Sequence, residues 1–149
     1  PKSRVLVAVC AVALSAFAFA HNKEDGAGEY RMGLMSVIGW NFGPLGAMVK
    51  GKQPFDAAEF SKRADRIANL SDQLLEGFPK GSENAEHTTA KADIWANWDD
   101  FQSKTRDFER EAKALATVAK GNDEAKDKEQ FKKVAETCKS CHEKYKKKD

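Results

Sequence analysis

The sequence predicts an all-α fold, an antiparallel four-helix bundle over residues 21–149, preceded by a leader over residues 1–20. Three observations carry this. Apolar residues recur at three- and four-residue steps in four separate segments, the period of a helix face. Prolines are rare, 4 in 149 residues, which leaves room for long helices. No alternating strand pattern stands out between the loop signals.

The first segment runs from about Gly28 to Val49, with Leu34, Met35, Ile38, Phe42, Leu45 and Val49 on its apolar stripe. Gly43-Pro44 should bend or loosen it, and Gly51 to Pro54 ends it. The second runs from about Asp56 to Phe78. Asp56 followed three residues later by Glu59 has the arrangement of a capping box. Phe60, Ala64, Ile67, Leu74 and Phe78 give its apolar face, and Pro79 to Thr89 form a polar connection. The third segment, about Lys91 to Lys120, places Ile94, Trp98, Phe101, Thr105, Phe108, Ala112, Leu115 and Ala119 at alternating four- and three-residue steps, a heptad seam. Gly121-Asn122 closes it. The fourth runs from about Glu124 to Lys147, with Phe131, Val134, Ala135, Cys138, Cys141, His142 and Tyr145 on its stripe.

Residues 1–20 have the layout of a secretory signal peptide. Lys2 and Arg4 precede an apolar run from Val5 to Ala20 that ends Ala18-Phe19-Ala20, a small-x-small cleavage site. The run is shorter than the roughly 20 residues of a spanning helix. Export to the periplasm with cleavage of the leader is the expectation; retention of the leader as an anchor is the alternative. Removing Lys2 and Arg4 from 25 basic residues leaves 23 against 23 acidic ones, a neutral balance without the basic footprint of a nucleic-acid binder. Of the 3 cysteines, Cys10 lies in the leader, which leaves Cys138 and Cys141.

Those two belong to Cys138-Lys139-Ser140-Cys141-His142, a c-type haem attachment signature. Each thiol can add across a haem vinyl group to give a thioether, and the adjacent imidazole can take one axial position on the iron. On a helix the three residues fall at i, i+3 and i+4 and share a face. Two other chemistries use this pair. Zinc wants four ligands, and outside the motif only His21 and His87 remain, without finger spacing. A thioredoxin-like dithiol belongs beside a βαβ pattern, which the sequence lacks.

A haem motif that closes a chain of four helices resembles the class II c-type cytochromes, the cytochrome c-prime family. Supporting landmarks are Tyr30-Arg31, Asn41-Phe42-Gly43, Val49-Lys50-Gly51, Pro54-Phe55-Asp56-Ala57-Ala58, Ile94-Trp95 and the continuation of the motif to Tyr145-Lys146. The resemblance covers the whole of residues 21–149. It implies one covalent haem c with its iron, anchored by Cys138 and Cys141 and ligated by His142. It implies that the residue four after Arg31, Met35, faces the distal side. Low-spin members carry Met there, so Met35 is the expected second axial ligand, and the chain is expected to be a one-electron carrier and not an enzyme. The alternative is a high-spin protein with an open distal site that binds a small gas such as nitric oxide. Arg31 takes the position of a residue beside a haem propionate, and Lys146 that of a basic residue near the proximal imidazole. Trp95 or Trp98 could pack on the haem, with core packing the default for Trp98. The implied partners are periplasmic or membrane-bound redox proteins and, as in many family members, a second copy of the chain. A haem-free helical binding module is the reading from a different class.

Overall fold

The computed structural model describes residues 26–148. The leader and His21 lie outside the described residues. The elements are α1 (Ala27–Val49), α2 (Ala57–Ser71), a 3-10 turn (Leu75–Gly77), a short α3 (Asp93–Ala96), α4 (Trp98–Ala119) and α5 (Glu124–Tyr145). The four long helices make the expected bundle. Two boundaries differ from the sequence reading. The second segment leaves the α-helix at Ser71 and tightens into the 3-10 turn. The third breaks at Asn97, whose φ of −125° and ψ of 39° divide α3 from α4.

α1 runs unbroken through Pro44, contrary to the bend expected there. A proline in a helix leaves the carbonyl four residues earlier without its N–H donor. Here that carbonyl belongs to Trp40, and Arg63 of α2 donates to it from Nη1 at 3.1 Å. A side chain from the neighbouring helix thus replaces the missing backbone bond. The buried stripe of α1 is Arg31, Leu34, Ile38, Asn41, Leu45 and Met48. Met35 does not belong to it, and Met48 takes the place expected for Val49.

α2 begins at an Asp56 cap, which accepts from the Glu59 N–H at 2.9 Å. Only half of the expected box forms. The Glu59 carboxylate turns to Arg63 at 2.7 Å and to Lys62 at 3.4 Å. Burying the apolar faces of these helices is the main favourable term in the fold. α4 packs against both α2 and α5, so it is the central helix of the bundle. Its seam residues Phe108, Ala112, Leu115 and Ala119 share one core with Phe60, Ala64 and Ile67 of α2 and with Phe131 and Val134 of α5. α1 lies on α2 but meets α5 only sparsely. Their contact is near one end, where Phe42 stacks on Phe131 with centroids 4.4 Å apart and Gly46 faces the same ring.

The other end of α5 is tied elsewhere. Lys91 N donates to Tyr145 O at 2.9 Å and Lys147 N to Thr89 O at 2.7 Å, forming an isolated antiparallel bridge. The Tyr145 hydroxyl donates to Asp100 at 2.5 Å, and Lys144 pairs with the same carboxylate at 2.9 Å.

Asp127, in the first turns of α5, is fully buried, and neither carboxylate oxygen has a hydrogen-bond partner. Burial raises its pKa, and the charge of Asp123 adds to the rise. An acid that holds its proton more tightly when folded stabilises fully below its unfolded value of about 4, and that contribution is lost as pH rises through the folded value. Asp127→Asn should therefore stabilise the protein at pH 7 by about 1 kcal/mol. At pH 3 it should give no gain. Thermal melts of the two proteins at both pH values check this.

Candidate functional site

α1 and α5 meet sparsely, at the Phe42–Phe131 contact, and Cys138, Cys141 and His142 lie two to three turns further along α5. All three are helical, so α5 presents them in one i, i+3, i+4 row as the sequence predicts. Both thiols are free and half-buried. Cys138 packs on the main core, which includes Leu34 and Ile38 of α1. Cys141 packs on a second apolar cluster built from Phe78, Ile94, Phe101 and Tyr145, with Trp95 and Trp98 at its margin. A flat group bonded to both sulfurs would therefore lie across the seam between the two clusters.

The electrostatics of the motif discriminate among its candidate chemistries. Burial pushes the Cys138 thiol up to about 11, and burial also raises Cys141 against the opposing pull of Lys104. Dithiol catalysis needs a depressed thiol pKa, so these are poor nucleophiles at neutral pH. Among the described residues, no group of three His, Cys, Asp or Glu gathers to hold a metal ion on its own. That removes the basis for a structural zinc site, which uses four protein ligands. His142, expected on the apolar stripe of the last helix, is exposed on α5. Desolvation, aided by the charge of Lys146, lowers its pKa and favours the neutral imidazole that an iron ligand must be.

Arg31 is not a solvated helix-end charge. It is 5% exposed. Its Nε donates to Gly77 O at 2.5 Å, and Nη2 donates to Ser82 O at 3.1 Å and to the Ser82 hydroxyl. The guanidinium lies 4.4 Å over the Phe78 ring and 5.1 Å from the Trp95 ring. Its Nη1 is buried without a partner, and so is the indole Nε1 of Trp95. Two unused donors at the thiol end of the bundle suit a group that carries carboxylates. With Cys138, Cys141 and His142 on one face, the residues present fit haem c.

Met35 stands apart. Its side chain is 36% exposed, on a flank of α1 that also exposes Met32, Val37 and Trp40. Trp98 tilts against Phe101 at 5.7 Å, the core packing expected of it. Lys146 follows the last helical residue as the cap of α5. His87 lies exposed in the 79–89 connection, where no role was expected.

Sequence reasoning missed Ser82, which is 1% exposed and receives Arg31 from inside a stretch that reads as polar loop. Nothing in the composition marks it. It also missed how closely this loop approaches α1. A Cβ on Gly28 would lie 1.7 Å from Glu86 O, and one on Gly77 would lie 2.9 Å from the Tyr30 ring. These two glycines allow the loop to seat Ser82 and Gly77 over Arg31.

The comparisons with known proteins agree with this geometry. The family model described as Cytochrome C′ matches residues 27–146. A cytochrome c′ from Halomonas halodenitrificans is 35% identical over 120 residues, 77% of this chain and 91% of that protein. The solved structure of cytochrome c prime from Shewanella frigidimarina is 46% identical, covers 84% of this chain and 97% of its own, and superposes with a TM-score of 0.80. A ferrous variant of cytochrome c prime from Alcaligenes xylosoxidans with bound NO is 30% identical and covers 86% of this chain and 98% of its own, with a TM-score of 0.78.

The loop contact yields a direct check. Gly28→Ala forces the Glu86 backbone away from α1 and should cost about 1–3 kcal/mol, as overpacking does. Urea unfolding of the variant against the parent measures it, with the same slope and a lower midpoint expected.

Proposed function

The chain belongs to the cytochrome c′ family, and from that premise we propose a protein whose haem iron is held by His142 on one side and left open to a small gas such as nitric oxide on the other. The cofactor of the family is one covalent haem c with its iron. In the proposed site Cys138 and Cys141 supply the thioether sulfurs, His142 supplies a neutral imidazole, and Arg31 offers a buried cation to a propionate. Bound haem contributes an iron that changes charge by one electron and accepts a diatomic ligand. The protein's part is to fix one axial side, shield the ring and leave the other side accessible. This is the work of a carrier, not of an enzyme, in the periplasm, facing redox proteins of that compartment or of its membrane.

The observation that carries the open distal side is the kinship with a protein solved with a diatomic gas bound: the Alcaligenes xylosoxidans relative with NO, 30% identical, superposes with a TM-score of 0.78. Met35 lies at the edge of the buried stripe of α1, and the spectrum of the holoprotein decides whether its thioether is a ligand. With Met35 as sixth ligand, the protein would be the one-electron carrier that its sequence suggests.

A second copy of the chain is the proposed partner for the outer face of α1. Trp40 is 75% exposed there and Val37 49%. Beside them run Gly33, Gly39 and Gly43, exposed and with open space where a Cβ would stand. Next to this row a concavity of about 410 Å³ is lined by Val37, Asn41, Arg66, Asn69 and Leu70. A two-fold interface must carry projection and recess on one patch, and this face has both.

Two measurements follow. After denaturation, the pigment of the exported protein should stay with the chain. The reduced native protein should then show a high-spin spectrum that carbon monoxide shifts, and Met35→Leu should change gas affinity by less than about tenfold. A low-spin reduced spectrum, indifferent to the gas until Met35 is replaced, would establish Met35 as ligand and the chain as an electron carrier. For the second copy, sedimentation of the holoprotein should give a dimer that Trp40→Glu weakens at least about tenfold, the effect of losing a central aromatic anchor. A parent protein that sediments as a monomer at high concentration removes this partner.

A further inference from the structure

We propose that the indole N–H of Trp95 and Nη1 of Arg31 together hold one carboxylate, a haem propionate, so that Trp95 is a cofactor-binding residue. The inference rests on the haem reading of Cys138, Cys141 and His142. It adds a donor that neither the motif nor the helix periodicity indicates.

Both atoms are buried and neither has an acceptor. Native proteins seldom leave strong donors in that condition, because each forfeits its hydration without compensation. The two are also neighbours. Both pack on Phe78, whose ring is 4.4 Å from the guanidinium carbon and 5.9 Å from the Trp95 ring, and the guanidinium is 5.1 Å from that same indole.

The charge of Arg31 identifies the class of acceptor. Its other donors are spent on two carbonyl oxygens and one hydroxyl, all neutral. Among the described residues, the carboxylate that acts on it is Glu83, through space and without an ion pair. A buried guanidinium surrounded by neutral acceptors calls for an anion in contact with it. A carboxylate with two oxygens can accept from the planar guanidinium and from an indole at its side.

The cofactor brings that anion. Cys141 packs on the cluster that Phe78 and Trp95 help to form, so a porphyrin bonded to its sulfur would border the same cluster as these donors. The indole N–H of Trp98, three residues on, is not among the buried, unpartnered donors; its ring packs on Phe101. That contrast separates the two tryptophans that sequence reasoning treated together.

The test uses holoprotein carrying Trp95→Phe, which keeps an aromatic ring and removes the N–H. Pigment retained after denaturation comes first; its loss from the parent protein overturns the haem reading itself. With pigment retained, the propionate bending band in the resonance Raman spectrum should shift in the variant. The pH at which the reduction potential breaks should rise by about half a unit or more, because a carboxylate that loses a donor is easier to protonate. If the band and the pH profile both match those of the parent, the proposal fails while the haem reading stands. Should Trp95→Phe fail to accumulate as holoprotein, the benzothiophene analogue of tryptophan at position 95, with sulfur in place of N–H, preserves the shape and gives the same two readouts. Trp98→Phe serves as control and should move neither.

Discussion

The structure turns on the fixing of α5. Three chemically essential groups lie within five residues of one helix, so whatever sets the rotation and height of α5 sets the whole site. Two devices do this. Along its length α5 is packed against α4, through Phe131 and Val134 facing Phe108, Ala112 and Leu115. At its end the backbone of residues 145–147 bonds to residues 89–91, and Tyr145 anchors on Asp100. The first device fixes rotation, because turning α5 would expose its apolar stripe. The second fixes height, because a backbone bridge does not slide. α1 is left free of the task. It leans on α2 and touches α5 near Phe42 and Gly46.

Such a division explains why α1 carries so many unusual residues. A helix face in water ordinarily carries charges, yet α1 has none between Arg31 and Lys50, which suits the covered outer face proposed for it. It tolerates Pro44 because Arg63 supplies the lost donor from α2. Its first turns accept the 77–87 loop because Gly28 and Gly77 remove the atoms that would collide. The loop in turn encloses Arg31, so burial of that cation depends on two glycines, Gly28 one turn before it and Gly77 far from it in sequence. The positive charge is thus set by backbone contact, which is more rigid than a side-chain pair.

Much of this architecture was legible in the sequence. The three- and four-residue periodicity gave the long helices of the bundle, because their stability comes from burying one face. The motif gave the row Cys138, Cys141, His142, because its spacing coincides with a helical turn. What could not be read depended on tertiary packing. Met35 satisfies the same spacing as Leu34 and Ile38, yet a one-residue rotation of 100° places it on the flank. Ser82 looks like any loop serine, and its burial follows from how the loop returns over Arg31. Asp127 looks like a first-turn acid suited to the helix dipole, and only the packing around it shows that it is sealed from water. The break at Asn97 interrupts a seam whose periodicity continues across it, since Ile94 and Phe101 both remain buried.

The buried polar atoms that lack partners are distributed in a way that bears on function. At the thiol end they are donors, Arg31 Nη1 and Trp95 Nε1; near the start of α5 they are the two acceptor oxygens of Asp127; the others are Asn41 Oδ1 on α1 and Arg63 Nε on α2, which lies 2.7 Å from the Glu59 carboxylate. The remedies available to them differ. A sealed carboxylate can neutralise itself by binding a proton, at a stability cost that varies with pH and without any ligand. A guanidinium has no such escape, since it stays protonated at any pH the fold survives, and an indole N–H has none either. Donors of that kind need an acceptor, and a carboxylate serves both. The start of α5 can therefore be completed by a proton alone, whereas the thiol end suits an anionic group. Haem c answers both demands of that end, with vinyl carbons for the two thiols and carboxylates for the two donors.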